Sequence, residues 1–419
     1  MKEFKHICII GLGYIGLPTA ATFASHGVKV TGVDINQHAV DLINQGKIHI
    51  VEPDLSSLVH DVVEQGKLTA QTHPCEADAY IVAVPTPFKG NYEPDLKYIE
   101  AAAKSLAPYL RPGNLVILES TSPVGATEQM SKWLSESRPD LSFPQKSESE
   151  EEFDILIAHC PERVLPGKVL QELISNDRII GGMTPRCSQA AIKLYKIFVK
   201  GNCIETNART AEMCKLTENS FRDVNIAFAN ELSIICDKLD IDVWELIRLA
   251  NRHPRVNILQ PGSGVGGHCI AVDPWFIVSK TPDEARLIRT AREVNNAKPE
   301  WVIDKVKIKV AEFLQAHPEK TINDVTIACY GLAFKPDIDD LRESPALEIT
   351  KKLAERGFNI LAIEPNIEKL PEGMPSNVEL ISLKEKDEAD IHLILVDHRQ
   401  FKLSFELHSN YVIDTKGIL

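Results

Sequence analysis

A glycine-rich segment that ends in a lone cysteine carries the most reactive side chain in the sequence. It runs Gly262-Ser-Gly-Val-Gly-Gly-His-Cys269, and Asp273 follows four residues after the cysteine. Glycines let a backbone approach a ligand closely, so this cysteine is placed to attack one. A cysteine that only fills a core is the alternative. A core position does not require Gly264, Gly266 and Gly267 beside it, which favours the nucleophile.

A second motif near the N-terminus, Gly11-Leu-Gly13-Tyr14-Ile15-Gly16, has the spacing of a dinucleotide-binding fingerprint. An apolar strand precedes it, a helix follows, and Asp34 ends the next strand, as the fingerprint requires. The glycines let backbone and helix N-terminus meet a pyrophosphate, and Asp34 can accept hydrogen bonds from a ribose. Because a carboxylate repels a 2′-phosphate, we predict NAD rather than NADP. A plain turn between strand and helix is the alternative.

Threonines follow two further apolar strands. Val84-Pro-Thr86-Pro and Glu119-Ser-Thr121-Ser-Pro123 lie where the carboxyl ends of parallel strands meet ligands. Thr86 and Thr121 can bond a cofactor or an ordered water. Thr127, near a helix start, is a candidate contact for a cofactor phosphate. A loop that merely ends a strand is the alternative at each position.

Three polar residues share one face of a long helix. Lys215, Asn219 and Arg222 are spaced i, i+4 and i+7. An ammonium and an amide one turn apart can stabilise an oxyanion, and an ammonium near Cys269 lowers the pKa of the thiol. A solvated helix face is the alternative. A nicotinamide site together with an activated thiol indicates oxidation past the aldehyde to a carboxylic acid.

Charged residues after other strands indicate an anionic ligand. In Cys160-Pro-Glu162-Arg163-Val164, Glu162 can activate a water and Arg163 can pair with a phosphate, although a surface ion pair fits Arg163 equally well. Further candidates lie before the cysteine segment and after C-terminal strands: His253, Arg255, Phe334, Lys335, Arg342 and Lys416. Each basic residue alone is typical of solvated surface, and collectively they predict a diphosphate site.

The pattern of apolar segments predicts an α/β fold. In the first part, strands are predicted at residues 5–10, 28–34, 79–84, 115–119, 155–159 and 178–182, with a helix at 17–26. Alternation of this kind indicates βαβ units and a Rossmann-like parallel sheet. Residues 145–152, rich in Glu and Ser, are predicted to form a solvated loop.

The middle third is predicted to be helical, and the C-terminal part repeats the α/β pattern on a smaller scale. Helices are predicted at 210–237, 243–251, 283–316 and 344–356, and late strands at 325–330, 359–364, 391–396 and 411–414. Ser344 and Pro345 suit the start of the last helix. We expect three domains: an NAD-binding Rossmann-like domain at 1–205, a central helical dimerisation domain at 206–316, and a smaller Rossmann-like domain at 317–419.

Composition restricts the class of protein. The 419 residues are 44% hydrophobic and 25% charged, which is ordinary for a soluble globular protein. The formal net charge of −13 argues against a binder of nucleic acid or membrane surfaces. No signal peptide and no membrane-spanning apolar run are recognisable. Nine scattered cysteines argue against a disulfide framework or a zinc site, so we predict a cytoplasmic protein without a metal.

In this order, the motifs resemble those of the UDP-glucose/GDP-mannose dehydrogenase family over nearly the whole chain. The most specific are Lys215-Leu-Thr-Glu-Asn219, Gly266-Gly-His-Cys269-Ile-Ala-Val-Asp273, and Gly331-Leu-Ala-Phe-Lys335 with Arg342-Glu-Ser-Pro345. The Cys160-Pro-Glu-Arg stretch and residues 251–255 resemble the N-acetylhexosamine branch of the family. The resemblance implies an N-terminal NAD domain, a helical dimerisation core and a C-terminal UDP-binding domain.

The resemblance also implies a reaction. The family oxidises C6 of a nucleotide sugar with two NAD, and the substrate expected in this branch is UDP-N-acetyl-D-mannosamine. Cys269 would attack the aldehyde to form a thiohemiacetal, and its oxidation would give a thioester that water hydrolyses. Lys215 and Asn219 would hold the oxyanion and contact the substrate. The uronate product would serve a bacterial surface polysaccharide, of the enterobacterial common antigen type.

Other residues match family positions that hold water, substrate or cofactor. Asp273 and Thr121 would position the water that serves as base, and Glu162 would assist the acyl steps. The matching contact positions are Arg163, Val164, Arg222, His253, Arg255, Gly266, Phe334, Lys335, Arg342 and Lys416. Of these, Arg342 is expected at the cofactor. His253 and Arg255 are expected from the partner subunit of a homodimer.

Three alternatives stay open. The same chemistry on UDP-glucose or UDP-N-acetylglucosamine cannot be separated by the physics of the sequence. A two-electron dehydrogenase of the 3-hydroxyacid type also places a Lys-x-x-x-Asn pair on a helix, but it does not need Cys269 and yields one NADH per substrate. A non-catalytic regulator would bind NAD and yield none.

Overall fold

The structure is a computed structural model that describes residues 4–50, 52–144, 153–165, 167–267, 269–404 and 409–419. The loop predicted at 145–152 lies outside these residues. The chain forms two compact units, Met1–Glu218 with Trp275–Lys280, and Asn219–Pro274 with Thr281–Leu419. The middle region, predicted as one domain at 206–316, is divided between them. The predicted α/β class, with a Rossmann-like sheet at each end of the chain and a long central helix, is confirmed.

The first unit contains, within the described residues, an eight-stranded sheet and a short hairpin. The strands are β1 His6–Ile10, β2 Lys29–Val33, β3 Leu68–Gln71, β4 Ala79–Val82, β5 Phe88–Lys89, β6 Glu93–Pro94, β7 Leu115–Leu118, β8 Leu156–His159, β9 Arg178–Gly182 and β10 Cys203–Asn207. The sheet order is β10-β9-β8-β7-β4-β1-β2-β3, and β5 pairs with β6. Across the sheet from β3 through β2, β1, β4 and β7 to β8, neighbouring strands are parallel, and their order is that of a dinucleotide-binding fold.

Helices cover both faces of this sheet. They are α1 Gly16–Ser25, α2 Gln37–Asn44, α3 Leu55–Glu64, α4 Lys97–Leu106, α5 Ala126–Ser137, α6 Val169–Ser175 and α7 Pro185–Tyr195. Side chains alternate along β1, so Ile7 and Ile9 pack into one core while Cys8 and Ile10 pack into the core on the opposite face. Burial on both faces explains why the strands read as continuous apolar runs.

One pair of strands departs from the predicted parallel arrangement. β9 runs antiparallel to β8, with Ala158 opposite Gly182 and His159 opposite Gly181, and β10 runs parallel to β9. An apolar run reads the same in either direction, so the sequence did not reveal this reversal. Continuing the register three residues beyond β8 places Arg178, the first residue of β9, opposite Glu162.

In the described residues, two long helices and two short ones occupy the middle of the chain. The long ones are α8 Ala208–Leu239 and α11 Arg286–Ala316, and the short ones are α9 Val243–Ala250 and α10 Asp273–Lys280. In the second unit, a buried ion pair joins α8 to α11: the Arg292 guanidinium lies 2.6 Å from the Asp223 carboxylate, which also accepts from Asn295 at 2.8 Å. No helix in the described part of the chain is long and apolar enough to cross a membrane.

The second unit ends in a smaller sheet. Its strands are β11 Thr326–Tyr330, β12 Asn359–Ile363, β13 Val378–Leu380, β14 Ile391–Ile394 and β15 Val412–Asp414, with helices α12 Pro345–Glu355 and α13 Arg399–Ser404. The order is β13-β12-β11-β14-β15, parallel at every pair. The Ser344 side chain caps α12 by accepting from the Leu347 amide, as predicted. β13 was not predicted, because its sequence Val-Glu-Leu contains no run of apolar residues.

Candidate active site

The fingerprint glycines of the first unit divide into two kinds. A Cβ on Gly11, which has φ +93°, would lie 2.4 Å from the Ala83 carbonyl oxygen, and a Cβ on Gly16 would lie 1.8 Å from the Gly11 oxygen. Packing of the turn against its own sheet therefore demands both glycines. Gly13 has nothing within 4 Å of a built Cβ and is exposed. Its open backbone is the part of the turn that a pyrophosphate can approach.

Asp34 is held beside this turn. One carboxylate oxygen accepts from the Leu12 amide at 3.0 Å and the other accepts from the Asn36 amide at 2.9 Å. The side chain is half-buried at the carboxyl end of β2, where a ribose would be bound. The next residue, Ile35, is 90% exposed. An apolar side chain at this place suits the flat face of an adenine, and the sequence analysis missed it because one exposed isoleucine carries no pattern.

The remaining predicted cofactor residues behave differently from one another. The Thr86 hydroxyl is buried and has no hydrogen-bond partner among the described residues, which fits a group that waits for a ligand. Thr127 is fully buried and donates to a Glu212 oxygen at 2.6 Å, so its predicted contact with a phosphate has no support here. Tyr14 is 37% exposed and Ile15 is half-buried.

Glu212 explains the position of Thr127. Its carboxylate accepts from the amides of Gly125 at 2.6 Å and Thr127 at 2.8 Å, and these amides begin α5. Burial raises the pKa of Glu212, while the hydrogen bonds oppose that rise. Thr127 and Glu212 therefore satisfy the start of a helix, a role that a threonine near a helix N-terminus often fills.

Glu162 lies directly after β8 and is buried. One of its oxygens accepts from Arg178 at 2.7 Å and the other accepts from the Arg163 amide at 2.7 Å. Arg178 also bonds Glu119 at 3.0 Å. Neither Arg178 nor Glu119 was predicted as a site residue, although the Glu119-Ser-Thr121 motif contained one of them. Sequence spacing gives no signal that connects residues about 60 positions apart.

Arg163 uses its guanidinium within the protein. It bonds the Glu218 carboxylate at 2.7 and 3.1 Å and the Asp177 carbonyl at 3.2 Å. The ion pair that the sequence left open as an alternative is therefore present, and a phosphate would have to displace Glu218. Val164, Thr121 and Lys215 are half-buried. In the part of the chain that the structure describes, Lys215 forms no ion pair.

In the second unit, the thiol is at the start of a turn. The Cys269 carbonyl accepts from the amides of Val272 at 3.0 Å and Asp273 at 2.8 Å, so the turn leads directly into α10. Cys269 is half-buried and Asp273 is buried. The Asn219 amide donates to the Asp273 carboxylate. Asn219 and Asp273 are 54 positions apart in the sequence, and both were predicted in one site; the structure places them in hydrogen-bond contact.

The glycines before Cys269 are required by packing against the turn after β11. A Cβ on Gly266 would lie 2.4 Å from the Glu343 oxygen and 2.8 Å from the Phe334 Cβ. A Cβ on Gly267 would lie 2.8 Å from the Phe334 ring. The predicted substrate residues Gly266 and Phe334 are therefore in contact. These contacts give a reason for the glycines besides the expected approach of a ligand: they let two loops of the same unit meet.

The other residues predicted to bind an anion differ in their partners and in their exposure. Arg342 pairs with Asp340 at 2.6 Å, and Lys416 lies 3.4 Å from Asp397. The Lys416 ammonium also lies against Gly262, 3.3 Å from the position of a built Cβ. Lys335 is half-buried, whereas Arg222, His253 and Arg255 are exposed. Arg342, predicted at the cofactor, belongs to the second unit, whereas the fingerprint belongs to the first.

Comparison with known proteins decides the family. Residues 5–199 match the NAD binding domain of the UDP-glucose/GDP-mannose dehydrogenase family, residues 209–297 match its central domain, and residues 328–419 match its UDP binding domain. The chain belongs to this family. The predicted class, an NAD-dependent dehydrogenase, is confirmed.

Relatives of known name cover nearly the whole chain. UDP-N-acetyl-D-mannosamine dehydrogenase of Escherichia coli (strain K12) is 64% identical over 99% of both chains. NDP-N-acetyl-D-galactosaminuronic acid dehydrogenase of Ralstonia nicotianae is 62% identical over 99% of this chain and 96% of the relative. The solved structure of the UDP-N-acetyl-mannosamine dehydrogenase Cap5O from S. aureus is 43% identical, with a TM-score of 0.84 over 99% of this chain and 95% of that one.

The UDP binding domain of this family member repeats the first sheet in detail. Leu332 donates to Glu364 at 2.8 Å and Asn366 donates to it at 3.0 Å, as Leu12 and Asn36 do to Asp34. Unlike Asp34, Glu364 is buried and bonds His398 at 3.0 Å. The degenerate repeat expected from the sequence is present, but its acidic residue is used inside the protein.

Proposed function

We propose that this dehydrogenase oxidises C6 of UDP-N-acetyl-D-mannosamine to give UDP-N-acetyl-D-mannosaminuronate. The observation that carries the proposal is the turn at Cys269, followed by a buried Asp273 that Asn219 holds. A thiol so placed can retain an aldehyde between two oxidations, which a two-electron dehydrogenase does not need. The relatives from Escherichia coli and Campylobacter jejuni, both 64% identical and named for this sugar, support the choice of substrate.

NAD, when bound, accepts the hydride that leaves C6 in each of the two oxidations. The residues that would hold it are the open Gly13 backbone, the fixed carboxylate of Asp34 and the unpartnered hydroxyl of Thr86. Exposed Ile35 would cover the adenine. Arg342 is proposed to reach the cofactor as in the family pattern, on condition that it exchanges Asp340 for a phosphate.

The chain's own groups would carry the rest of the reaction. The Cys269 sulfur forms a bond to the aldehyde carbon, and Lys215 and Asn219 stabilise the negative oxygen. The second oxidation converts the thiohemiacetal into a thioester. Water then adds to the acyl carbon, the carbon–sulfur bond breaks and the thiol is restored. Asp273 with Thr121 positions the water that takes protons in the oxidations, and Glu162 takes a proton from the water that hydrolyses the thioester.

The diphosphate of the substrate would be bound by basic groups that now face carboxylates. Arg163 pairs with Glu218, and Lys416 lies near Asp397, whereas Lys335 is half-buried beside Phe334. A diphosphate carries more charge than one carboxylate and can replace these partners. Val164, Gly266 and Arg222 complete the proposed contacts.

A homodimer is part of the proposal. On α8, Phe221, Phe228 and Ile235 recur every seven residues and are 70%, 52% and 44% exposed. A seven-residue apolar repeat lies on one helix face and pairs with the same face of a second copy. His253 and Arg255 lie in an exposed stretch, residues 252–257, which suits residues offered to a partner subunit. The cytoplasm, where NAD and UDP-sugars occur, is the proposed location.

A second substrate is favoured by one observation. The relative from Ralstonia nicotianae, 62% identical, is named for an N-acetyl-D-galactosaminuronic acid nucleotide. The same thiol chemistry at C6 acts on either sugar. The two candidates differ only in the sugar that the site accepts.

The deciding experiment incubates the protein with NAD and, separately, UDP-N-acetylmannosamine, UDP-N-acetylgalactosamine, UDP-N-acetylglucosamine and UDP-glucose. We expect two NADH per molecule of UDP-N-acetylmannosamine and a product mass that matches the uronate. One NADH per sugar would instead identify a two-electron enzyme, and none would identify a regulator. The Cys269→Ser variant should bind NAD normally and form no uronate. Normal turnover by that variant would refute the role of the thiol.

A further inference from the structure

A buried cluster in the first unit joins one guanidinium to two carboxyl groups. Arg178 donates through one terminal nitrogen to Glu119 at 3.0 Å and through the other to Glu162 at 2.7 Å. The Arg178 guanidinium lies 4.3 Å from the centre of the Tyr195 ring, and the Tyr195 hydroxyl donates to Glu119 at 3.0 Å. Stacking and hydrogen bonds together fix the orientation of the guanidinium.

The two carboxyl groups have different surroundings. The Glu119 side chain is completely buried, and one of its oxygens has no hydrogen-bond partner among the described residues. Both oxygens of Glu162 are bonded, and Glu162 lines a small cavity together with Arg178, Asn176 and Asp177. Glu162 therefore borders an open space, whereas Glu119 lies in the interior.

Two ionised carboxylates around one guanidinium leave a buried negative charge, which is costly. Glu119 relieves this cost because burial raises its pKa to about 7, and the charge of Glu162 adds to the rise while Arg178 opposes it. The titratable groups that face Glu119 are Arg178, Glu162, Tyr195 and Cys160. When Glu119 carries a proton, the charge of Arg178 acts on Glu162 alone.

The location of the cluster indicates its role. Here the reversed strand β9 brings Arg178 to the carboxyl edge of the sheet, opposite Glu162, and Glu119 follows the last residue of β7 at the same edge. Ligands bind at this edge in parallel α/β sheets. The position of the cluster is therefore that of a group that acts on the site.

We propose that Arg178 is a positioning residue for Glu162, and that Glu119 is a second carboxyl group of the same site that competes with Glu162 for the one guanidinium. The inference rests on the proposed function, in which Glu162 assists hydrolysis of the acyl–Cys269 intermediate. Arg178 aims the Glu162 carboxylate, and the protonation of Glu119 sets how strongly Arg178 holds it.

The test uses Arg178→Lys and Glu119→Gln in the full-length enzyme, with Arg209→Lys as the matched control. Arg209 forms an exposed ion pair with Glu128 in the same unit, so its replacement makes the same chemical change outside the cluster. Rapid mixing with UDP-N-acetylmannosamine and NAD measures the first burst of NADH. Acid quenching and mass spectrometry measure the acyl group on Cys269.

In Arg178→Lys we expect kcat to fall about 100-fold, a normal first burst, and an acyl-enzyme that accumulates. Lysine keeps the charge but cannot bond both carboxyl groups in the plane of a guanidinium. The proposal would be overturned if the burst and kcat fell equally and no acyl-enzyme accumulated. It would also be overturned if kcat equalled that of Arg209→Lys.

Glu119→Gln keeps the shape of the protonated side chain, and it tests the proposal even if Arg178→Lys does not fold. The pH profile of acyl hydrolysis in the wild-type enzyme should have an inflection near pH 7, where Glu119 titrates, and Glu119→Gln should lack it. An unchanged inflection would overturn the role of Glu119. The wild-type reaction is measured first. If it does not yield two NADH and an acyl–Cys269 species, the proposed function itself fails. If it yields both and the two variants behave like the wild type, only this inference is refuted.

Discussion

The side-chain amide of Asn219 donates to the carboxylate of Asp273, and this bond connects α8 to the residue that follows the cysteine turn. Replacing Asn219 by alanine leaves a buried carboxylate with one donor fewer and removes the proposed oxyanion donor. We expect kcat to fall about 100-fold while the affinity for NAD is unchanged. Steady-state rates and calorimetric titration of NAD measure the two effects.

Asn225→Ala is the matched control for this variant. Asn225 lies on the same helix and donates to the Phe221 carbonyl at 2.6 Å. The control should retain most of its activity. Equal rates in the two variants would show that the bond to Asp273 has no part in catalysis.

Two glycine variants separate a cofactor surface from a packing requirement. Gly13→Ala places a methyl group in open space, so stability without ligand should be unchanged, but the methyl group meets the pyrophosphate and NAD affinity should fall about 10-fold or more. Gly266→Ala forces a methyl group to 2.4 Å from the Glu343 oxygen and should lower the free energy of unfolding by about 1–3 kcal/mol.

Thermal unfolding without ligand and titration with NAD measure both variants. Each glycine variant is the control for the other. A destabilised Gly13→Ala variant, or one that binds NAD like the wild type, would contradict the role assigned to the open backbone. A Gly266→Ala variant as stable as the wild type would show that the two loops can separate freely.

The pair of Glu364 and His398 should make the stability of the second unit depend on acid pH. Burial alone raises the pKa of Glu364, but hydrogen bonds from His398, Leu332 and Ala333 lower it to about 2, from an ordinary 4.5. A lowered pKa stabilises the folded state above the unfolded pKa, and this contribution is lost as the pH falls towards 2. The difference corresponds to about 3 kcal/mol.

Glu364→Gln should therefore be less stable than the wild type at neutral pH, and the gap should narrow as the pH falls below about 4.5. Urea unfolding with hydrogen exchange of the β11 and β12 amides measures the gap in this unit. Glu379→Gln, an exposed position in β13, is the control. A gap that stays constant with pH would exclude the carboxylate as its cause.

The exposed apolar repeat on α8 should determine the oligomeric state. Phe228→Glu places a charge on the face formed by Phe221, Phe228 and Ile235, so we expect the dimer to dissociate into single chains. Loss of the partner's His253 and Arg255 should raise KM for the sugar nucleotide at least 10-fold.

Sedimentation measures the mass, and Lys132→Glu, an exposed change on α5, is the control. A Phe228→Glu variant that sediments like the wild type would place the dimer contact elsewhere on the surface.

The fold was largely predictable because its signals are local. Strands of the first sheet buried on both faces appear as apolar runs, and the cap at Ser344 is encoded within four residues. The antiparallel direction of β9 was not predictable, because strand direction depends on how the chain returns to the sheet. β3, β10 and β13 were not predicted, because none of them contains more than two apolar residues in a row.

The site was predictable where a motif is contiguous and not where it is assembled in three dimensions. The fingerprint and the cysteine segment are short, and their residue types indicate the chemistry that each could perform. The bond between Arg178 and Glu162, and the occupation of Arg163 by Glu218, depend on pairs from different elements. The contact of Thr127 with a cofactor phosphate stays a prediction, because the same residue type serves helix ends and phosphates alike.

The register between β8 and β9 makes the proposed catalytic edge sensitive to insertions and deletions within these strands. Side chains alternate between the two faces of a strand, so sliding β9 by one residue along β8 would send Arg178 to the opposite side of the sheet and bring Ile179 in its place. A single residue inserted into or deleted from β9 would therefore take the guanidinium away from both carboxyl groups.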